Sequence, residues 1–342
     1  MVIETRELRV ALPDVPGLRF RGFLGEADYV GMVAANMAAR RAAGVEEALS
    51  VDGLANQYAH LTNSDRDRDL VIVEIGDRIV GYVRVEWLDQ TDGGRSYDRV
   101  CILEPGARGR GIGAAMLRWS EARIRQVAAV HDADRPRWFG AENWDADDRG
   151  RRLLISNGYA PVRTFFDMVR PTLDDLPPFA LPEGFTIRQI GAADLRAVWE
   201  AEGKAFHDHW GGVDESEEAF QRFVNEPRLD PSLHVVAFAG DEVAGAVLNI
   251  IDDAENALFD RRRGLLDSVF VRRPYRQRGL ARALIARSLH LLRERGMTSA
   301  WLGVDADNAN AALHLYRTCG FEIGLSTTAY RKPLDGTGDD RW

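Results

Sequence analysis

The chain has 342 residues, of which 45% are hydrophobic and 28% are charged, and its formal net charge is −9. This length suits two domains of roughly 150–170 residues each, and the negative charge argues against a nucleic-acid partner. No apolar run approaches the ~18 residues of a membrane helix, so we expect no membrane partner and a cytoplasmic protein. The two cysteines form no Cys/His cluster, which predicts that the protein binds no metal.

Strand and helix patterns alternate along the first half of the sequence. They predict first a strand, two helices and a hairpin. A strand then leads through a glycine-rich turn into a helix, and a strand, a helix and a last strand follow. The predicted ranges are 18–24, 26–43, 51–61, 69–75 with 78–87, 100–103, 108–113, 114–130, 137–142, 147–157 and 162–169.

The same order returns after a proline-punctuated linker at 171–184. The predicted ranges are 185–190, 192–206, 216–225, 234–239 with 242–250, 266–271, 276–281, 281–295, 300–304, 308–319 and 327–331. Each half therefore predicts an α/β fold with a mixed β-sheet flanked by helices on both faces. We expect an N-terminal domain at 1–170, a C-terminal domain at 185–334 and a mobile tail at 335–342.

Two glycine-rich turns are the most informative motifs, and they lie 168 residues apart. Each one follows a predicted strand and opens a predicted helix, at 108–113 and at 276–281. Glycine lets backbone N–H groups approach a phosphate closely, and a helix N-terminus adds partial positive charge. The arginines in both turns add full charges, so the pattern indicates two sites for a pyrophosphate.

Both halves resemble the GNAT superfamily of acetyl-CoA-dependent acetyltransferases, whose pyrophosphate motif is Arg/Gln-x-x-Gly-x-Gly/Ala. The matching residues are Arg108, Gly111 and Gly113 in the first half and Arg276, Gly279 and Ala281 in the second. The tandem arrangement is similar to that of mycothiol synthases, a two-domain branch of the family. The resemblance implies acetyl-CoA as co-substrate, and it also assigns to the cofactor Val269, Val271, Arg278, Leu280 and Asn308.

The resemblance also implies the catalytic groups. Tyr316 matches the tyrosine that many GNAT enzymes use as general acid toward the sulfur of coenzyme A. The first half has Leu154 at the corresponding position, and because leucine has no proton to donate, we expect this half to be catalytically degenerate. Asp267 is the candidate general base, although some relatives carry a glutamate where this chain has Leu265.

The acceptor pocket is expected after the first helix of the second half, where His207, His209 and Trp210 stand. We expect direct acetyl transfer to a small-molecule primary amine, by a protein that is a monomer or a homodimer. Two alternatives remain open. In the first, the acceptor is a cysteinyl amine, as for mycothiol synthases. In the second, the chain is a regulatory protein that binds acyl-CoA without transferring the acyl group.

Overall fold

The computed structural model describes residues 10–207, 209–307 and 312–335. Within these ranges the chain forms two compact units. The first unit holds the described residues up to Arg163 together with those from Thr327 onward, and the second unit is Thr164–Ser326. None of the helices in the described ranges is both long and apolar enough to cross a membrane.

The strands and helices follow one another in the order that the sequence patterns predict. Those of the first half are β1 Leu18–Arg21, α1 Ala27–Ala42, α2 Val51–Ala59, β2 Leu70–Ile75, β3 Arg78–Asp89, β4 Arg95–Leu103, α3 Ile112–Ala128, β5 Arg137–Trp144, α4 Asp148–Ser156 and β6 Ala160–Arg170. Those of the second half are β7 Thr186–Arg188, α5 Leu195–Phe206, α6 Glu217–Val224, β8 Val235–Ala239, β9 Glu242–Ile251, α7 Asp253–Leu258, β10 Arg263–Val271, α8 Leu280–Glu294, β11 Ser299–Asp305, α9 Ala312–Thr318 and β12 Glu322–Pro333.

Helix α7 is an addition to the predicted series. The side chain of Asp252 accepts a hydrogen bond from the backbone N–H of Glu255 and so caps the start of the helix. Aspartate is a common N-cap residue, so the sequence does contain a helix-start signal here. A six-residue helix is too short to show a clear apolar period, which is why the spacing of apolar residues did not predict it.

The two halves of the sequence exchange their last strands. In the first unit the sheet order is β1-β2-β3-β4-β5-β12, and in the second it is β6-β11-β10-β9-β8-β7. Residues 165–170 of β6 pair with β11, and residues 327–333 of β12 pair with β5. The expectation that 162–169 completes the sheet of its own half therefore needs correction, since an alternating pattern identifies a strand and leaves its partner open.

Each sheet is covered on both faces. In the first unit α3 packs on one face and α1 with α2 on the other, which gives two apolar clusters. In the second unit α8 packs on one face and α5 on the other, again with one apolar cluster on each side. The mixed α/β architecture that the sequence predicts is thus present in both units.

A cleft opens in each sheet where two parallel strands separate. The parallel pairing of β4 with β5 runs as far as Arg99 and Ala141, and that of β10 with β11 as far as Leu265 and Trp301. The second unit has an additional irregularity. The register of β10 against β9 shifts between Leu266 and Ser268, which makes Asp267 the extra residue of a β-bulge. The corresponding pairing of β4 with β3 is regular.

Candidate active site

The turn between β10 and α8 has the geometry of an anion site. Gly279 takes a left-handed conformation (φ 80°) directly before the first residue of α8, and Gln277 has a positive φ of 60°, which is uncommon for a residue with a side chain. Strained backbone of this kind concentrates at binding sites. The turn therefore presents the free N–H groups of a fifteen-residue helix to the solvent.

Arg276 fixes this turn in place. Its Nε donates to the carbonyl oxygen of Val271 at 3.0 Å, and its Nη2 donates to the carbonyl oxygen of Ala205 at 2.8 Å. These contacts join the end of β10 and the end of α5 to the turn. The guanidinium also keeps its positive charge beside the helix N-terminus, where an anion would gain from it.

The backbone of β10 directs two N–H groups into the cleft. Arg272 donates its N–H to Ala244 of β9 at 2.9 Å. Successive N–H groups of a strand point to opposite sides, so those of Val271 and Val269 point away from β9 and toward the cleft. N–H donors in this position can polarise a thioester carbonyl, which is the role that the resemblance implies for this part of the strand.

A cavity of about 590 Å³ unites the turn, the cleft and α9. Most of the residues that the sequence predicts for the site line it, namely Asp267, Val269, Val271, Arg276, Gly279, Leu280, Ala281, Tyr316 and His209. Arg278 is exposed, with its guanidinium 6.0 Å from the centre of the Phe185 ring. Asn308 lies outside the described residues.

Tyr316 combines burial with access to the cavity. Only 6% of the residue is exposed, and its ring packs edge-on against Phe321 at a centroid distance of 6.1 Å. Burial raises the pKa of the phenol above its ordinary value, so it carries its proton throughout the physiological range. A protonated phenol on the cavity wall is chemically suited to donate to a departing thiolate.

The three residues predicted for the acceptor pocket contact different neighbours. His209 lines the cavity and packs against Phe206 at a centroid distance of 4.5 Å. His207 is exposed, and its Nε2 lies 3.0 Å from Oε1 of Glu215. Trp210 packs against Phe165 of the exchanged strand β6 at 5.8 Å.

Sequence reasoning missed two polar residues beside Asp267. Ser268 lines the cavity and is 8% exposed, and the carboxyl group of Glu202 on α5 lies close to it. A signal for Glu202 existed in the sequence. It stands four residues after Val198 and three before Ala205, both buried, so an acidic residue occupies the apolar face of an amphipathic helix.

The first unit repeats the turn with different chemistry around it. Arg108 donates from Nε to Leu103 O at 3.0 Å and pairs with Asp147 at 2.9 Å, and Gly111 precedes α3 with a φ of 82°. A cavity of about 600 Å³ adjoins the turn and is lined by Gly111, Gly113 and Leu154. Arg99 stands 168 positions before Asp267, so a buried guanidinium replaces the carboxylate of the second unit.

Groups of three or more His, Cys, Asp or Glu side chains that could hold a metal ion are absent from the part of the chain that the structure describes. The site therefore consists of backbone N–H donors, a phenol, a serine hydroxyl and carboxylates. These groups belong to the second unit, while both units have a cleft between separated parallel strands and a phosphate turn at a helix N-terminus. These features together define the class of enzymes that bind a coenzyme A thioester in an opened mixed sheet.

The chain belongs to the acetyltransferase (GNAT) family, whose model matches residues 26–134 and 195–321. The expected tandem of two such regions is thereby confirmed. The chain is similar to mycothiol acetyltransferases over most of its length. It is 28% identical to the enzyme of Thermobispora bispora, covering 95% of this chain and 99% of that protein. It is 31% identical to that of Mycolicibacterium smegmatis, covering 88% and 96%.

Solved structures show the same two-unit architecture. A GCN5-related N-acetyltransferase from Sphaerobacter thermophilus matches with a TM-score of 0.69 and 27% identity, covering 96% of this chain and 99% of that one. A tandem GNAT protein from the clavulanic acid biosynthesis pathway matches with a TM-score of 0.64 and 17% identity, covering 94% and 100%. At 17% identity the second match supports the fold alone.

Proposed function

We propose that the second unit transfers the acetyl group of acetyl-CoA directly to the primary amine of a small molecule, and that this acceptor is a cysteinyl amine of the mycothiol type. The single observation that carries the transfer is the position of Tyr316, a protonated phenol on the wall of the cavity that begins at the phosphate turn. The choice of acceptor rests on the similarity to mycothiol acetyltransferases over nearly the whole chain.

The reaction needs a neutral amine, a polarised thioester carbonyl and a proton for the departing thiolate. In this proposal the turn at Gly279 binds the pyrophosphate, and the N–H groups of Val269 and Val271 face the thioester carbonyl. Asp267 is exposed in the cavity at the bulge, where its negative charge draws in the ammonium group of the acceptor. Tyr316 then gives its proton to the sulfur.

The first unit, in the same proposal, binds coenzyme A without transferring an acetyl group. Its turn has the same left-handed glycine before α3 and the same arginine contact to the end of the preceding strand. Two substitutions remove the chemistry, since Leu154 has no proton to donate and Arg99 would repel an ammonium group. The binding and the loss of activity are therefore separate features of this unit.

The acceptor is tested by thiol release from acetyl-CoA with the full chain and a panel of amines. The panel contains a cysteinyl amino sugar, the same compound already N-acetylated, an amino sugar without cysteine, polyamines and aminoglycosides. We expect rapid release with the cysteinyl amino sugar, accompanied by the N-acetyl product in mass spectrometry, and background release with its N-acetylated control. Faster turnover with another amine would contradict the proposed acceptor, and background release with every amine would contradict the proposed transfer.

A further inference from the structure

Helix α5 places a carboxylate against the bulge of β10. Glu202 is partly buried and lies on the face of α5 that packs on the sheet, between the buried residues Ala201 and Ala205. Ala205 lines the cavity, and its carbonyl oxygen accepts the hydrogen bond of Arg276. The backbone around Glu202 is therefore tied to the phosphate turn, so the carboxyl group has a fixed position relative to a bound cofactor.

Ser268 separates this carboxylate from the cavity. Ser268 lines the cavity, and its Oγ is buried and has no hydrogen-bond partner among the described residues. The hydroxyl nevertheless lies close enough to Glu202 to favour the ionised carboxylate. A buried hydroxyl that is not committed to a short hydrogen bond can rotate between a ligand and its neighbour, and such unsatisfied groups in native structures call for an explanation.

The bulge places Asp267 and Ser268 in different environments. Asp267 is the inserted residue and is exposed in the cavity, and Arg228, which pairs with Glu226, is near enough for its charge to interact with that of Asp267. Ser268, directly after the insertion, lies on the face of the sheet that α5 covers. In a strand without a bulge Ser268, two positions after Leu266, would point to the same face as Leu266, which packs under α8. The bulge is thus what brings the hydroxyl to Glu202.

We propose that Glu202, acting through the hydroxyl of Ser268, is the positioning residue that takes up the proton released by the acceptor amine. This inference rests on the proposed function, and it adds the destination of the proton. Asp267 attracts the ammonium group into the cavity, and Glu202 holds the proton while the neutral amine attacks the thioester.

The transfer balances in its atoms and electrons. One N–H bond of the ammonium group breaks, and its electron pair stays on nitrogen as the lone pair that attacks the thioester carbonyl. The proton goes to Oγ of Ser268, whose own proton passes to the carboxylate of Glu202. Glu202 becomes a neutral carboxylic acid and Ser268 is unchanged. The nitrogen–carbon bond forms as the carbon–sulfur bond of the thioester breaks, and the departing thiolate takes the proton of Tyr316. The second proton, which nitrogen loses as it becomes an amide, restores the neutral phenol of Tyr316. After product release Glu202 returns its proton to water, so no oxidant or further reactant is required.

The charges around Glu202 favour this role. Across from it β10 presents Ser268 and Asp267, and the residues of β9 on this face are apolar. Among the other charged side chains on and beside α5, Arg196 pairs with Glu217, His207 lies against Glu215, and Glu200 and Lys204 are exposed. Burial raises the pKa of Glu202 to about 7, while the Ser268 hydroxyl lowers it and the charge of Asp267 raises it by a smaller amount. A group with a pKa near the working pH exchanges protons efficiently in both directions.

The test compares Glu202→Gln with Glu200→Gln, which removes an exposed carboxylate two residues away on the same helix. We expect kcat/KM for the acceptor in wild type to rise with pH through an apparent pKa near 7, because only ionised Glu202 accepts the proton. Glu202→Gln should lower kcat by about 10²-fold or more and abolish this limb of the profile. Ser268→Ala should have a similar effect, and the double variant should lose little more than either alone. The Glu200→Gln variant should behave as wild type.

A second readout needs no acceptor and so separates this inference from the proposed function. Carbon-13 NMR of protein labelled at glutamate carboxyl groups, with Glu202→Gln for assignment, gives the pKa of Glu202 directly. We expect a value near 7. A value near 4.5, the ordinary one for glutamate, would overturn the inference even if the protein acetylates amines. An unchanged kcat and pH profile in Glu202→Gln would overturn it equally.

Discussion

At the scale of single residues, one pair of positions separates the two units. Tyr316 and Leu154 are equally buried, at 6% exposure, and both line the cavity beside the phosphate turn of their unit. Both side chains therefore pack in the interior, and one difference between them bears on the chemistry. The tyrosine has a proton that it can deliver into its cavity, and the leucine has none.

We expect Tyr316→Phe to lower kcat by roughly 10²–10⁴-fold while acetyl-CoA binds with nearly unchanged affinity, because the ring stays and only the donor is lost. Tyr330→Phe, which removes a hydroxyl from a buried tyrosine of the first unit, is the matched control and should keep its activity. Stopped-flow acetyl transfer and calorimetry with acetyl-CoA measure the two effects. An unchanged rate of the chemical step would assign Tyr316 a packing role alone.

The site residues that could be predicted from the sequence are those of the short motifs. Arg276, Gly279 and Tyr316 follow from local chemistry and spacing, and the structure gathers them around one cavity. Ser268 and Glu202 could not be paired in advance, since they are 66 positions apart and only the bulge brings them together. The position of Asp267 in a β-bulge could not be predicted either, because alternating strand residues do not show where a bulge interrupts the pairing.

At the scale of elements, the exchanged strand β6 supports the helix that carries Tyr316. Arg170, the last residue of β6, is 7% exposed and donates to the carbonyl oxygens of Cys319 and Asp175. The carbonyl oxygen of Cys319 lies just past the end of α9, where a positive charge also interacts favourably with the helix dipole. One buried guanidinium thus joins the strand, the helix end and the linker.

Arg170→Met should lower the thermal midpoint of the protein by several degrees, since each hydrogen bond from a charged donor contributes roughly 1.5–3 kcal/mol. Arg317→Met removes an exposed arginine from α9 itself and is the control, with an expected change close to zero. Hydrogen exchange should show faster opening of α9 in Arg170→Met alone. Equal midpoints for the two variants would show that the guanidinium does not hold the helix.

The order and type of the helices and strands could be predicted from the sequence, because each type has its own period of apolar residues. The pairing of the last strands could not be predicted in this way. Strands β6 and β12 follow the same signal, a glycine after a helix, at Gly158 and Gly320. Either strand fits beside either β5 or β11 by its pattern alone. The exchange is a long-range choice, and single-sequence patterns carry only local information.

At the scale of the whole molecule, the chain holds two copies of one fold whose cavities are lined by different residues. Both units keep the opened cleft, the turn and the arginine that binds the end of the preceding strand. The second unit alone combines these with the bulge at Asp267 and the phenol of Tyr316. We therefore propose that the second unit transfers the acetyl group and that the first unit only binds the cofactor.

The most direct test is a matched pair of variants, Gly279→Asp and Gly111→Asp, assayed for transfer of labelled acetyl from acetyl-CoA to the acceptor. Both glycines have left-handed backbone before a helix, at φ 80° and 82°, so the conformational penalty of the two changes is similar. Each aspartate puts a negative charge where a pyrophosphate would bind. We expect Gly279→Asp to abolish transfer and Gly111→Asp to retain it. Transfer that survives in Gly279→Asp and disappears in Gly111→Asp would contradict it.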